Sequence, residues 1–358
     1  MRLRRTRWAV AATAAVLLTG ACSSDQDGSS PKSAPVTPSV PQSQPQDCAV
    51  SDKLVPSCGA LLGVSVDPAG GADVTTLERT MKRKFDLVYE FHGIDKPLPA
   101  RDEAEMVAGG RILHVNIEAK EFDKPDKPEV SWARITAGEF DAALREQATG
   151  LGALKSPVMV TFDHEVDSAK RVGKRGTAAE FVAAWRHIHK VYADAGARNI
   201  VWVWVVTGFE KNLATVPSVY PGNEYVDWLS WDPYNFAGCQ SGTIKPKQWK
   251  SFAETVQPFY DWLQNEGARA GIDKNKPYLL SEFGTVADPD DPSAAARWYA
   301  EIPAALEKFP QIKALQLWNS KVEDCDYRIE LRPETLAAFA AVARTPTFVS
   351  AAAGLAER

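Results

Sequence analysis

The sequence predicts an α/β chain folded as a (β/α)8 TIM barrel. Three observations carry this. Short apolar runs alternate with longer amphipathic ones from Cys48 onward. Eight apolar runs, each followed by a helix or a long loop, over about 310 residues match the size and repeat of that barrel. A doubly wound open sheet, the other arrangement with this alternation, wants a Gly-rich phosphate loop after its first strand, and Val66-Asp67-Pro68-Ala69-Gly70-Gly71 is not one.

The strands are expected at Leu61–Asp67, Phe85–His92, Arg111–Glu118, Pro157–Glu165, Asn199–Thr207, Trp228–Asn235, Lys276–Gly284 and Lys313–Asn319. Each is short and rich in branched or aromatic residues. The helices are expected at Val74–Lys84, Asp102–Ala108, Ala137–Leu154, Thr177–Ala195, Lys247–Glu266, Pro292–Lys308 and Pro333–Ala343. Asp291-Pro292 and Arg332-Pro333 place proline where a helix begins and needs no amide hydrogen. After Thr207 only a weak helical candidate stands near Asn212.

The first 47 residues read differently. Arg4, Arg5 and Arg7 precede the apolar run Ala9–Leu18, and then comes Leu18-Thr19-Gly20-Ala21-Cys22. This is the pattern of a secretory signal over residues 1–21. It resembles a bacterial lipobox in which Cys22 carries the lipid, with ordinary signal cleavage as the alternative. Residues 22–47 are rich in Ser and Pro and lack apolar periodicity, so they read as a flexible tether. Residues 48–358 are then expected to form the barrel as one domain. The expected location is the outer face of the cell membrane, or the medium if the chain is simply secreted.

Composition narrows the function. The chain has 358 residues, 45% of them apolar, too many for a disordered protein. The formal net charge is −5 and no basic stripe occurs, which argues against a nucleic-acid partner. After the N-terminus no run of about 20 apolar residues occurs, which excludes a multi-span membrane protein. Setting Cys22 aside, Cys48, Cys58, Cys239 and Cys325 remain. An even number in an exported chain suggests two disulfides, with three possible connectivities. Cys48–Cys58 would close a short loop, and Cys239–Cys325 would then pin two loops at one end of the barrel. A metal site is not expected, since neither a zinc-finger Cys spacing nor an HExxH occurs. No cofactor motif is found, and a monomer is expected.

A barrel of this kind carries its chemistry at the C-terminal ends of its strands. There stand His92, Asn116, Glu118, His164, Glu165, Trp204, Asp232, Tyr234, Glu282 and Trp318. Two opposed carboxylates in such a ring suit glycoside cleavage: one protonates the leaving oxygen, the other attacks the anomeric carbon or activates water. Aromatic plates suit the C–H faces of pyranose rings. His114 lies mid-strand and is expected to be a hydrogen-bonded barrel histidine. His187 and His189 belong to a helix.

The motifs His164-Glu165 after strand four and Ser281-Glu282-Phe283-Gly284 on strand seven resemble glycoside hydrolase family 26, a family of β-mannanases with some β-1,3-1,4-glucanases and β-1,3-xylanases. Further segments are similar in the same order: 132–141, 181–187, Asn199-Ile-Val-Trp202-Val-Trp204, 220–228 and Lys276-Pro277. The resemblance implies a retaining endo-glycosidase acting on a polysaccharide, with β-1,4-mannan leading. It implies Glu165 as general acid/base and Glu282 as nucleophile. It also implies that Tyr234 hydrogen-bonds Glu282 and keeps it ionised, that His164 orients the sugar or Glu282, and that Trp318 floors the subsite beside the scissile bond. Asp232 is expected to support the pair, and His92, Glu118 and Trp204 to contact substrate. A weakly hydrolytic carbohydrate-binding lipoprotein is the alternative. Two segments depart from the family pattern. Val166–Arg175 holds four basic residues and no aromatic, and is expected to be a solvated loop. Strand five ends Val205-Val206-Thr207 where Ser-Pro-Asn is common.

Overall fold

A computed structural model describes residues 48–66, 73–122, 124, 126, 128–169, 171–237, 239 and 248–351. The signal, the lipobox with Cys22, the tether and the Val66–Gly71 turn beyond Val66 lie outside the described residues. Eight parallel strands close on themselves: β1 (Leu61–Val66), β2 (Leu87–Gly93), β3 (Ile112–Glu118), β4 (Val158–Phe162), β5 (Ile200–Val206), β6 (Trp228–Trp231), β7 (Tyr278–Thr285) and β8 (Ile312–Asn319). Each pairs with the next, and β8 pairs with β1 along Leu61↔Ala314 to Val66↔Asn319, so the sheet has no free edge. The expected (β/α)8 barrel is therefore the fold.

The surrounding helices are α1 (Val74–Met81), α2 (Arg101–Ala108), α3 (Trp132–Thr136), α4 (Asp141–Ala153), α5 (Ala178–Asp194), α6 (Phe252–Trp262), α7 (Ala294–Ala300), α8 (Ile302–Leu306) and α9 (Pro333–Ala343). Thr177 caps α5: its side chain accepts from Glu180 N, and Glu180 Oε2 accepts from Thr177 N at 2.7 Å. The expected helix Pro292–Lys308 is two helices, α7 and α8. Pro303 stands in the first turn of α8, where its missing amide hydrogen interrupts the ladder. Helix 137–154 starts late, at Asp141, because Gly138 takes φ 85° and separates α3 from α4.

Period-two alternation sorts the strand residues into two cores. Val201, Val203 and Val205 point into the barrel, where they pack with Leu61, Leu87, Ile112, Met159 and Trp228. Trp202, Trp204 and Val206 point the other way, into the layer between strands and helices. Val50 and Leu54, from the loop that the Cys48–Cys58 disulfide closes, join the inner core. In mid-barrel His114 is fully buried, with Gln316 Oε1 at 2.9 Å and Thr161 Oγ1 at 2.9 Å. Burial pushes its pKa down to about 3, so it is neutral.

Candidate active site

The mouth is built where the strands end. Strand β4 stops at Phe162, earlier than expected, because the chain turns sharply: Asp163 and Glu165 adopt φ 55° and 53°. Left-handed backbone at two non-glycine residues is strained, and it persists only where the surroundings hold it. Here Asp163 supplies the hold. Its side chain accepts from Ala119 N at 3.2 Å and from Trp132 Nε1 at 2.7 Å, and it pairs with Arg175. The turn presents His164 and Glu165 to the mouth, both half-buried.

His164 is fixed from β3. Asn116 Oδ1 accepts from His164 N at 3.2 Å, so the Asn116 amide nitrogen donates to His164 Nδ1 at 2.8 Å. Burial holds the ring well below the usual histidine range, with the Arg171 guanidinium adding to the effect. A neutral ring that accepts at Nδ1 carries its hydrogen on Nε2. Nε2 lies 3.8 Å from Glu282 Oε1. The other oxygen of Glu282 accepts from Tyr234 Oη at 2.6 Å, the bond that the motif resemblance implies.

Tyr234 reaches Glu282 because the strand-six region is broken. Asp232-Pro233 interrupts pairing after Trp231, since proline has no hydrogen to give. Pairing resumes as a two-residue strand in which Tyr234 lies beside Gly284 and Asn235 beside Thr285. Asp232 is buried, and its Oδ1 accepts from Ser281 Oγ at 2.6 Å. Trp318 is half-buried at the end of β8 and meets Phe91 edge-on at 5.8 Å. Three buried polar atoms here have no protein partner: Glu282 Oε1, Asp232 Oδ2 and Trp318 Nε1. Such atoms are rare, and hydroxyl-rich ligands would satisfy them.

The electrostatics correct one expectation. The Tyr234 bond does lower the pKa of Glu282, but burial and then the neighbouring Glu165 raise it more. Asp232 is raised too, by burial and by Glu282 and Glu165. The free site therefore holds protons at neutral pH that the hydrogen bonds alone do not predict.

Two other expectations are corrected. Trp204 does not reach the mouth. It is buried in the helix-facing layer, where Nε1 donates to Val219 O at 3.1 Å and the ring meets Tyr220. His92 alternates with Phe91 and so points away from the barrel axis, where its Nε2 lies 2.6 Å from Glu103 Oε1 of α2. The basic loop also differs from expectation. Arg175 is buried and pairs with Asp163 and Glu129, while Arg171 lies 3.4 Å from Glu118 and 3.4 Å from His164 Nδ1. Glu118 thus serves these arginines at the rim of the mouth.

Cys239 and Cys325 are bonded, with Cα atoms 5.2 Å apart, and so are Cys48 and Cys58 at 5.5 Å. The first pair joins the loops after β6 and β8 in a small core with Val286 and Tyr327, against which Tyr234 and Trp318 pack. Among the described residues no three His, Cys, Asp or Glu gather as metal ligands, and no helix is long and apolar enough to cross a membrane.

A closed parallel barrel whose mouth gathers carboxylates, an imidazole and aromatic plates is an architecture of glycoside hydrolases, and the chain resembles family 26 of these in structure as in motif. The catalytic domain of a Bacillus sp. JAMB-750 endo-β-1,4-mannanase superimposes with a TM-score of 0.58 at 15% identity, covering 82% of this chain and 87% of that one. A modular endo-β-1,4-mannanase from Cellulomonas fimi gives 0.60 at 18% identity over 83% of this chain and 72% of that one. By sequence the chain is 27% identical to Endoglucanase H of Acetivibrio thermocellus over 288 residues, 77% of this chain. It spans only 29% of the length of that relative. No family model matches the chain.

Proposed function

We infer that the protein is a retaining endo-glycosidase that cleaves a β-linked polysaccharide by double displacement. The observation that carries this is the environment of Glu282: a tyrosine hydroxyl on one oxygen, a neutral imidazole 3.8 Å from the other, and Glu165 beside it. The tyrosine hydrogen bond favours the ionised form of Glu282, while burial and Glu165 oppose it. Protonation of Glu165 relieves that opposition. The reactive state then has the proton on Glu165 and the charge on Glu282, the division that glycoside cleavage needs.

In the first step Glu282 attacks the anomeric carbon as Glu165 gives its proton to the departing glycosidic oxygen. The product is a glycosyl ester on Glu282. In the second step Glu165, now ionised, takes a proton from water, and the water oxygen displaces Glu282 with net retention. Trp318 floors the sugar being attacked, and Asp232 and Glu118 line its surroundings. β-1,4-Mannan is the leading substrate. A β-glucan is the second reading, favoured by the name of the sequence relative.

Export completes the reading. Residues 1–21 direct secretion, Cys22 is the lipid anchor, and 22–47 tether a monomeric barrel outside the cell. Two disulfides among the described residues suit an oxidising compartment. The test is reducing-sugar release by the full chain from galactomannan, glucomannan, mixed-linkage glucan, β-1,3-glucan and xylan, with Glu282→Ala as blank. Cleavage of mannans that the variant lacks supports the leading reading. Cleavage of glucan alone moves the substrate to the second, and release unchanged in the variant removes Glu282 from the chemistry.

A further inference from the structure

The mouth carries two aromatic rings that the roles above do not use. Phe209 follows β5 and Phe236 follows β6, both half-buried, with ring centroids 5.9 Å apart and planes at 70°. Phe209 is rooted on the loop of Glu165. Asp167, two residues beyond Glu165, accepts from Thr207 N at 2.7 Å and from Thr207 Oγ1 at 2.6 Å. Thr207 Oγ1 in turn accepts from Phe209 N at 3.2 Å and from Asn212 Nδ2 at 2.9 Å. Asp167 and Thr207 are buried, so water does not compete for these bonds. Phe236 is rooted on the other side. It packs on the core held by the Cys239–Cys325 disulfide, and its ring lies 5.6 Å from that of Tyr234.

Barrel order decides what these rings face. Glu165 follows β4 and Glu282 stands on β7, which divides the rim into two arcs. One arc, β8 to β3, holds Trp318 and Phe91. The other, β5 and β6, holds Phe209 and Phe236. A polysaccharide whose scissile bond lies between the two carboxylates crosses from one arc to the other. With Trp318 under the sugar being attacked, the leaving sugar comes to the second arc. The loop 166–175 offers it no aromatic ring.

We propose that Phe209 and Phe236 form the sugar-binding shelf on the leaving-group side, taking one β-linked hexopyranose unit of the departing chain. This rests on the retaining endo-glycosidase reading. The two rings present an apolar corner to the C–H face of the sugar. The exposed Lys211 ammonium, 5.7 Å from the Phe209 ring centre, donates to hydroxyls at the rim. The Asp167–Thr207 bonds keep the shelf in register with Glu165, so the sugar held there places its glycosidic oxygen at the acid.

The test compares two substrates in the full chain: mannohexaose, and a dinitrophenyl β-mannobioside that has no sugar on the leaving side. In Phe209→Ala and Phe236→Ala the ratio of kcat/KM on the hexaose to that on the aryl glycoside falls about tenfold. Phe209→Tyr, which keeps a ring, retains the ratio. An unchanged ratio in both alanine variants, including equal losses on the two substrates, overturns the shelf. Wild-type silence on both substrates removes mannan as the substrate, and the same pair in the gluco series then carries the test; silence there too sinks the hydrolase reading. Hexaose binding, followed by tryptophan fluorescence, then decides the shelf: weaker affinity in the alanine variants supports it, and unaltered affinity overturns it.

Discussion

Two clusters of acids lie side by side in the mouth and are handled in opposite ways. Glu118, Asp163 and Glu129 are paired with Arg171 and Arg175. Glu165, Glu282 and Asp232 crowd one another: burial and the neighbouring acids raise Glu282 and Asp232, whose hydrogen bonds come from Tyr234 and Ser281. The paired cluster fixes the strained turn that aims His164 and Glu165. The crowded cluster keeps protons that a reaction can move. Acids matched by arginine stabilise geometry; acids that raise one another's pKa hold protons for a reaction.

Breaking each cluster separates the two roles. The largest expected effect is on chemistry. Glu165→Ala lowers kcat/KM on polysaccharide by about 10²–10⁴-fold, the usual worth of general acid catalysis, and spares an aryl glycoside whose leaving group needs no proton. Equal losses on both substrates would remove Glu165 from the acid role. Next comes Arg175→Met, which removes the closest cation from buried Asp163 and leaves Arg171 at 3.9 Å. It should cost about 3–5 kcal/mol of stability by denaturant unfolding. A loss below about 1 kcal/mol would show that Ala119, Trp132 and Arg171 hold Asp163 without Arg175.

The smallest effect has a sign that distinguishes the clusters. Glu282 has its folded pKa raised, so the folded state binds more protons than the unfolded one between the ordinary and the raised value. Its contribution to stability is present at low pH and is lost as pH rises through the folded pKa. Glu282→Gln should therefore raise Tm by about 2–4 °C at alkaline pH and leave it nearly unchanged in acid. A variant less stable than wild type at alkaline pH would mean that the Tyr234 bond outweighs burial.

The barrel was legible in the sequence because each strand announced itself by a short apolar run, and closure follows from eight of them. Glu165, Glu282 and Tyr234 were legible because motifs at strand ends put them there. What failed was direction. His92 and Trp204 are close to the strand ends, yet alternation turns both outward, and one residue of phase decides this. The loop 166–175 failed for another reason. Its basic residues look solvated beside no visible partner, and Asp163 and Glu129 lie outside the loop. The Asp167–Thr207 tie was hidden likewise, since it joins two segments 40 residues apart.

The central claim is that Glu282 attacks carbon and Glu165 manages the proton. The most direct measurement is to treat the full chain with a deoxyfluoro β-mannoside or β-glucoside bearing a good leaving group, then map the peptides by mass spectrometry. A glycosyl adduct on Glu282, absent from Glu282→Ala, is the predicted result. Continued turnover with the sugar bound to another residue, or with no adduct at all, would contradict it.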